Sequence, residues 1–225
     1  MQTAAPNQAR REALVIMAKH PRLGAVKTRM ARHVGDERAF QLYLGFLRDL
    51  EAKFAGRERP LLWAYTPAES DFPSLVNSGS RCFPQEGERL GARLLNGFQR
   101  LFGEGYERVV FMSSDSPQLP AAWIDEAFAA LRGVDVVFAP AEDGGYNLVG
   151  LRELHDLFTG VEMSTPRVLA DTLERVRTLG LASRLLPVSF DVDEIEDVEK
   201  LRGFLAQDAE CLPHTRRVLE QSWRD

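Results

Sequence analysis

The sequence is poor in the features that mark several classes of protein. Its two cysteines, Cys82 and Cys211, have no C-x-x-C spacing, and its four histidines are scattered, so neither a disulfide scaffold nor a Cys/His zinc site is indicated. No continuous apolar run approaches the length that spans a bilayer, so we expect no membrane span. With 28 basic and 33 acidic side chains the formal net charge is −5, which argues against a nucleic-acid partner. We therefore expect a cytoplasmic protein.

Several catalytic and nucleotide-binding motifs are also missing. There is no G-x-S-x-G element, so a serine hydrolase of that type is not indicated. There is no G-x-G-x-x-G element, which disfavours a Rossmann dinucleotide fold, and Lys27 is not preceded by glycine as in a Walker A loop. Any nucleotide site must therefore be built in another way.

What the sequence does contain is a regular alternation of predicted strands and helices. Strands are predicted at residues 13–18, 60–65, 81–84, 108–112, 134–139, 147–151 and 184–188, and helices at 36–54, 88–102, 123–131, 164–180 and 196–206. This order predicts an α/β protein with three α/β/α layers and a mostly parallel central sheet. The strand at 147–151 follows a short turn, so we expect it to be locally antiparallel.

The chain is long enough to form one complete hydrophobic core. We expect a single domain over residues 12–225, because no linker or low-complexity tract interrupts the pattern. Residues 1–11 are polar and have no apolar stretch, so we expect a disordered tail there rather than a secretory signal.

The segment that follows the first predicted strand has the composition of a phosphate-binding loop. In open α/β sheets ligands collect at the carboxyl ends of the strands. Here Gly24 is followed by two closely spaced cations and a hydroxyl, Lys27, Thr28 and Arg29. A solvated basic loop explains the same residues equally well.

Two acidic segments also follow strands. Asp115 comes directly after the most apolar strand, where a carboxylate is costly unless it binds something, and a divalent cation is one such partner. Asp191 and Asp193 are two residues apart in an extended segment, so both could face one ion. For Glu196 and Asp197, favourable charge at a helix start is the simpler interpretation.

A fourth segment combines an acid with two adjacent glycines: Asp143, Gly144, Gly145 and Tyr146. Adjacent glycines allow the backbone to approach a ligand closely. An ordinary hairpin turn is the favoured interpretation of these residues alone, because Asp-Gly is a strong turn signal.

Taken together, the segments resemble those of a known family. The resemblance rests on M-A-K-H-P-x-x-G-x-V-K-T-R at 17–29, Q-x-G-x-x-L-G-x-R at 85–93, S-D-S-P at 114–117, P-A-x-D-G-G-Y at 140–146 and D-V-D-x-x-x-D at 191–197. The sequence is similar to the DUF2064 family of the nucleotide-diphospho-sugar transferase superfamily, some members of which are labelled arsenosugar-biosynthesis glycosyltransferases. It is similar, more distantly, to guanylyl- and cytidylyltransferases of the same fold. The resemblance covers about residues 13 to 206.

The resemblance implies the glycosyltransferase A fold and a specific distribution of roles. By this resemblance we expect Asp115 and Asp193 to bind Mg²⁺ or Mn²⁺, with Asp191 as the second choice in place of Asp193. The resemblance further implies that the nucleotide phosphates are bound by Gly24, Lys27, Thr28 and Arg29. It implies that the base or ribose is contacted by Gln85 and Gly91. The pocket for the sugar or acceptor would be lined by Asp143, Gly144, Gly145 and Tyr146.

The sequence also departs from the pattern of its relatives. The late acidic motif usually continues Thr-Pro, where this chain has Glu194 and Ile195, and the first loop lacks the Gly-x-Gly-x-Arg of sugar nucleotidyltransferases. The second departure favours transfer of a glycosyl group from a nucleotide-sugar to a small-molecule acceptor, with Asp143 as the candidate base. Two alternatives remain open. One is nucleotidyl transfer from a nucleoside triphosphate to a phosphorylated small molecule, with release of pyrophosphate, and the other is a catalytically silent nucleotide-binding protein.

Overall fold

The computed structural model describes residues 11–77, 80–207 and 211–223, and the predicted tail lies outside them except for Arg11. The described residues form a seven-stranded sheet with the strand order β3-β2-β1-β4-β6-β5-β7. Its strands are β1 Glu12–Lys19, β2 Leu61–Thr66, β3 Arg81–Pro84, β4 Arg108–Ser113, β5 Val136–Pro140, β6 Tyr146–Leu151 and β7 Ser183–Leu185. The central strands are apolar throughout because helices cover both faces of the sheet.

One strand runs against the others, as predicted. β6 pairs antiparallel with both β4 and β5, whereas the remaining strand pairs are parallel. The reversal follows from the short connection between β5 and β6, since a parallel neighbour needs a long crossover. The predicted mostly parallel sheet is thereby confirmed.

The helices form two layers. They are α1 Thr28–Val34, α2 Asp36–Phe54, α3 Leu90–Gly103, α4 Ala121–Ala130, α5 Val168–Thr178, α6 Ile195–Gln207 and α7 Pro213–Ser222, with a 3₁₀ turn at Phe72–Leu75. One core joins the sheet to α1, α2, α4, α6 and α7, and the other joins it to α3 and α5. Alternate residues of β1 supply the two cores, with Leu14 and Ile16 on one face and Ala13 and Val15 on the other. The three-layer prediction is confirmed. No helix within the described ranges is both long and apolar enough to cross a membrane.

Several predicted boundaries are wrong. α5 begins at Val168 rather than at Pro166, directly after the predicted cap at residues 164–165, because residues 166 and 167 form a turn before the helix. The segment predicted as a loop after β1 ends in the short helix α1, so Thr28 and Arg29 are helical. Gly180 does follow the end of α5 as predicted, with φ 68°.

Candidate functional site

The predicted acidic residues converge at the carboxyl edge of the sheet. β1 and β4 are adjacent and parallel, so the segments that follow them leave the sheet side by side. Asp115 lies two residues beyond β4, and its carbonyl oxygen accepts a hydrogen bond from the backbone N–H of Val192 at 2.9 Å. This bond draws the segment that carries Asp191 and Asp193 against the end of β4. Two sequence segments that the chain holds far apart therefore form one acidic edge.

Lys27 lies between two of the carboxylates. Its Nζ atom is 2.5 Å from Oδ1 of Asp115 and 2.8 Å from Oδ1 of Asp193. The side chain is only 3% exposed and extends over the rings of Tyr43 and Phe46, with 5.8 and 5.6 Å between Nζ and the ring centroids. A buried ammonium shared by two carboxylates reduces their mutual repulsion and holds them at one point.

The pKa shifts follow from this arrangement. Burial alone lowers the pKa of Lys27, but Asp115 and Asp193 outweigh it, and the pKa lies above its ordinary value. Removal from water raises the pKa of Asp115, Lys27 opposes that effect and Asp193 adds to it, with a net rise. Lys27 is therefore a permanent cation at the centre of the site.

Asp191 is held by neutral donors instead. The hydroxyl of Ser116 donates to its Oδ1, the amide of Asn147 also bonds to it, and Asn147 Nδ2 donates to Ser116 Oγ at 2.8 Å. Burial and the nearby charge of Asp115 raise the pKa of Asp191 to about 6. Asp191 is thus close to the pair of Asp115 and Asp193 but outside the contacts of Lys27.

Two clefts, each of about 330 Å³, meet at the acidic edge. The Asp143 cleft is lined on its outer side by Asp143, Gly145, Tyr146, Asn147 and residues 163–165. The Lys19 cleft is lined by Lys19, residues 25–28, Tyr43, Thr66 and Gln85. Asp115 and Asp193 line both, together with Met17, Leu90 and Ser113. A ligand in either cleft would reach the same two carboxylates.

The glycine-rich turn forms one wall of the Asp143 cleft. Asp143 Oδ1 accepts the backbone N–H of Gly145 at 2.9 Å, and the Asp143 residue is exposed. Gly144 has φ 87°, and a Cβ atom there would lie 2.0 Å from the carbonyl oxygen of Pro166. Packing against the segment before α5 therefore requires glycine at 144, apart from any ligand. The ring of Tyr146 packs on Phe138 with 5.1 Å between centroids.

The other predicted phosphate-binding residues occupy the first loop and α1. Arg29 is directed outward, with a side chain that is 68% exposed and 3.6 Å from Glu194 Oε1. Thr28 lines the Lys19 cleft, whereas Gly24 lies in an exposed turn with φ 72°. Lys19 also lines this cleft and is not among the predicted site residues. It lies in the M-A-K-H-P motif and at the end of β1, and these two signals identify it.

The two residues predicted to contact the base or ribose, Gln85 and Gly91, each have a structural role in the fold. Gln85 Nε2 donates to the carbonyls of Ala64 and Ala18, at 2.8 and 3.3 Å, and so satisfies backbone groups near the ends of β2 and β1. Gly91 is buried in α3 and lies outside the lining of both clefts. A Cβ atom at 91 would be 3.0 Å from Cε of Met163. Its small size allows α3 to pack against the segment before α5.

The donor chemistry of the acidic edge fits a divalent cation. Carboxylate oxygens suit Mg²⁺ and Mn²⁺, and Mg²⁺ commonly takes one or two protein carboxylates and completes its shell with phosphate and water. Within the described ranges, no group of three or more His, Cys, Asp or Glu side chains is placed so that it could hold a metal ion by itself. The three carboxylates of Asp115, Asp191 and Asp193 and the ammonium of Lys27 have a formal charge of −2 in total. A divalent cation would balance this charge, whereas a monovalent cation would leave one negative charge. The residues fit an ion that arrives with a phosphorylated ligand.

A family model described as an uncharacterized protein conserved in bacteria, DUF2064, matches residues 50–165. The chain belongs to the DUF2064 family. A crystal structure of a proposed nucleotide-diphospho-sugar transferase from Desulfovibrio desulfuricans G20 is 30% identical to this DUF2064 protein, with a TM-score of 0.89, and the match covers 94% of this chain and 95% of that one. The predicted family and superfamily are confirmed.

More distant relatives agree with this assignment. The phosphoenolpyruvate guanylyltransferase of Chloroflexus aggregans is 29% identical over 133 residues, which are 57% of this chain and 63% of that protein. The DUF2064 chain thus spans less than two thirds of the length of this curated relative. A 4-diphosphocytidyl-2C-methyl-D-erythritol synthase from Anaerococcus prevotii has the same fold, with a TM-score of 0.58 at 11% identity over 89% of this chain and 98% of that one. The predicted nucleotide-diphospho-sugar transferase fold is confirmed.

Proposed function

We propose that this DUF2064 protein is a metal-dependent transferase that moves a glycosyl group from a nucleotide-sugar to a small-molecule acceptor. The observation that carries the proposal is the meeting of the two clefts at Asp115 and Asp193. A transferase must hold a donor and an acceptor on two sides of one reacting centre. The Lys19 cleft, which the phosphate-loop residues line, receives the nucleotide, and the Asp143 cleft receives the acceptor.

Asp115 and Asp193 are the proposed ligands of Mg²⁺ or Mn²⁺, with Asp191 beside them. When bound, the ion supplies positive charge to the leaving diphosphate. Lys27 holds the two carboxylates close together, since its ammonium contacts both. The pair is therefore preorganised before a ligand arrives, which reduces the cost of assembling the site during the reaction.

In the proposed reaction, an acceptor oxygen forms a bond to the anomeric carbon of the sugar. The bond between that carbon and the diphosphate breaks, and the electron pair leaves with the nucleoside diphosphate. The acceptor hydroxyl loses its proton to Asp143, whose carboxylate lines the acceptor cleft and is exposed. Gly144 and Gly145 allow the backbone at this wall to approach the acceptor.

Nucleotidyl transfer is a second candidate, and one observation favours it. The curated relative that matches 57% of this chain is a guanylyltransferase. The same carboxylates would then act on a nucleoside triphosphate, and the acceptor would be a phosphorylated small molecule. An acceptor oxygen would bond to the α-phosphorus, and pyrophosphate would leave.

A panel of ligands tests the proposal. Nucleotide-sugars and nucleoside triphosphates are each added with Mg²⁺, with Mn²⁺ or with chelator, and the melting temperature is measured, because a ligand of the folded state raises it. Asp115→Asn is compared with Glu58→Gln, which also removes one negative charge but lies in an exposed loop at the opposite edge of the sheet. We expect a metal-dependent shift with one nucleotide-sugar in the wild type and in Glu58→Gln, lost in Asp115→Asn.

Product analysis then separates the candidates. Release of a nucleoside diphosphate on addition of candidate acceptors supports glycosyl transfer, and release of pyrophosphate from a triphosphate supports nucleotidyl transfer. Metal-dependent binding without either product, across the acceptor panel, would favour the silent nucleotide-binding protein.

A further inference from the structure

We infer that Lys19 is the side chain that contacts the donor phosphates, and that Lys27 serves as the fixed counter-ion of Asp115 and Asp193. The inference rests on the proposed function, because it assigns residues within the same nucleotide cleft. It differs from the role that the family resemblance gives to Lys27. The argument depends on which of the two ammonium groups is available to a ligand.

The ammonium group of Lys27 is already engaged by protein side chains. An ammonium group has three N–H donors. Two of them are directed at Asp115 and Asp193, at 2.5 and 2.8 Å, and the aromatic rings of Tyr43 and Phe46 lie beneath the group. With 3% of its side chain exposed, Lys27 offers little surface to a ligand in the cleft.

Withdrawing Lys27 toward a phosphate would also be unfavourable. The carboxylates of Asp115 and Asp193, whose side chains are 36% and 45% exposed, would lose the cation that they share, and their mutual repulsion would no longer be offset. This cost favours a lysine that stays with the carboxylates when a ligand binds.

Lys19 has the opposite properties. It is the last residue of β1, it is exposed, and it lines the same cleft as Asp115. Its Nζ atom donates to the carbonyl oxygen of Ala25 at 2.6 Å, which keeps the ammonium over the first loop. Lys19 and Asp115 line the same cleft, so one ligand bound there can meet both groups. A diphosphate whose ion lies at Asp115 would meet Lys19 on the open side of the cleft.

Two matched variants test the assignment. Lys19→Met and Lys27→Met each remove one ammonium from the same cleft and keep an unbranched side chain. Binding of inorganic pyrophosphate with Mg²⁺ is measured by calorimetry at a temperature at which the variants are folded, and the melting temperature of each is recorded. Lys19→Met should weaken binding by about 10-fold or more, the scale of a lost charge-assisted hydrogen bond, without lowering the melting temperature. Lys19→Arg should restore most of the affinity.

Lys27→Met should instead lower the melting temperature, and it should weaken pyrophosphate binding less than Lys19→Met does. The assignment is overturned if Lys19→Met binds within twofold of the wild type, or if Lys27→Met loses as much affinity as Lys19→Met while folded. These outcomes differ from failure of the proposed function, in which the wild type itself binds neither pyrophosphate nor any nucleotide with metal.

Discussion

The ammonium of Lys27 is 2.5 Å from the carboxylate of Asp115, and it contacts Asp193 at the same time. Lys27 and Asp193 are 166 residues apart in the sequence. One buried cation thus joins the segments that follow β1 and β4 to the acidic segment before α6. This ion pair fixes the position of the acidic segment relative to the end of β4.

The first prediction separates Asp193 from Asp191. Asp193 shares Lys27 with Asp115, whereas Asp191 is engaged by Ser116 and Asn147. Asp193→Asn should therefore weaken Mn²⁺ binding in the presence of pyrophosphate by about 100-fold or more, and Asp191→Asn by about 10-fold, as expected for a group that supports a metal ligand. Equilibrium dialysis gives both affinities. Equal losses in the two variants, or the larger loss in Asp191→Asn, would contradict the ranking.

The second prediction concerns the turn between β5 and β6. In Gly144→Ala the new Cβ atom would lie 2.0 Å from the carbonyl oxygen of Pro166, in addition to the strain of φ 87°. The free energy of unfolding should fall by about 3 kcal/mol, which is typical of a severe steric clash with backbone strain. Gly160→Ala is the control, because Gly160 has a similar φ of 84° but no atom within 4 Å of a Cβ there. It should lose only about 1 kcal/mol. Urea unfolding measures both, and equal losses would contradict the clash.

The glycine at 144 also illustrates what the sequence could predict. The Asp-Gly signal predicts a turn and an antiparallel strand after it, and β6 confirms both. The reason for glycine, a close approach of Pro166 from a segment more than twenty residues later, depends on tertiary contacts that local patterns do not contain. The start of α5 is also not contained in the local pattern, since a capping residue followed by proline predicts a start at Pro166 and the helix begins at Val168.

In the candidate site, too, the sequence predicts some features and does not predict others. Asp115, Asp191 and Asp193 are predictable because each follows a strand, and parallel strands end at one edge of a sheet. That Lys27 is enclosed by two of these carboxylates, while Arg29 two residues later is 68% exposed, is not predictable from spacing. It depends on the left-handed backbone at Lys27 and on the direction in which α1 leaves the loop.

The third prediction concerns Arg29, the exposed cation near the start of α1. Arg29 is 3.6 Å from Glu194, and both side chains are more than half exposed. Such a pair contributes little to stability, about 0–1 kcal/mol, so Arg29→Ala should melt within a few degrees of the wild type. If Arg29 contacts the donor as the family resemblance implies, the KM for the donor should rise about 5- to 20-fold with kcat nearly unchanged, because binding in the ground and transition states is lost equally. Steady-state kinetics checks this, with Glu194→Gln as the control that breaks the ion pair but keeps the arginine. An unchanged KM in Arg29→Ala would remove Arg29 from the site.

The fourth prediction concerns Cys82 in β3. Burial, together with the nearby carboxylate of Glu51, raises the pKa of the Cys82 thiol to about 11. The thiolate is the reactive form, so its fraction at pH 8 is about 100-fold below that of a thiol with the ordinary pKa of 9.0. Alkylation by iodoacetamide should be slow at pH 8 and should accelerate about tenfold per pH unit until the pH approaches 11. The measurement uses Cys211→Ser, so that only one thiol reacts.

Glu51→Gln in the same background tests the cause of the shift. Glu51 accepts hydrogen bonds from Trp63 Nε1 at 2.7 Å and from Ser80 Oγ at 2.6 Å, and glutamine retains an oxygen that can accept one of them. Removing the negative charge should lower the pKa of Cys82 and move the midpoint of the alkylation profile to lower pH. The midpoint, unlike the absolute rate, does not depend on how easily the reagent reaches the thiol. A midpoint below pH 9.5 in the Cys211→Ser protein would contradict the raised pKa, and an unchanged midpoint in Glu51→Gln would leave burial as its cause.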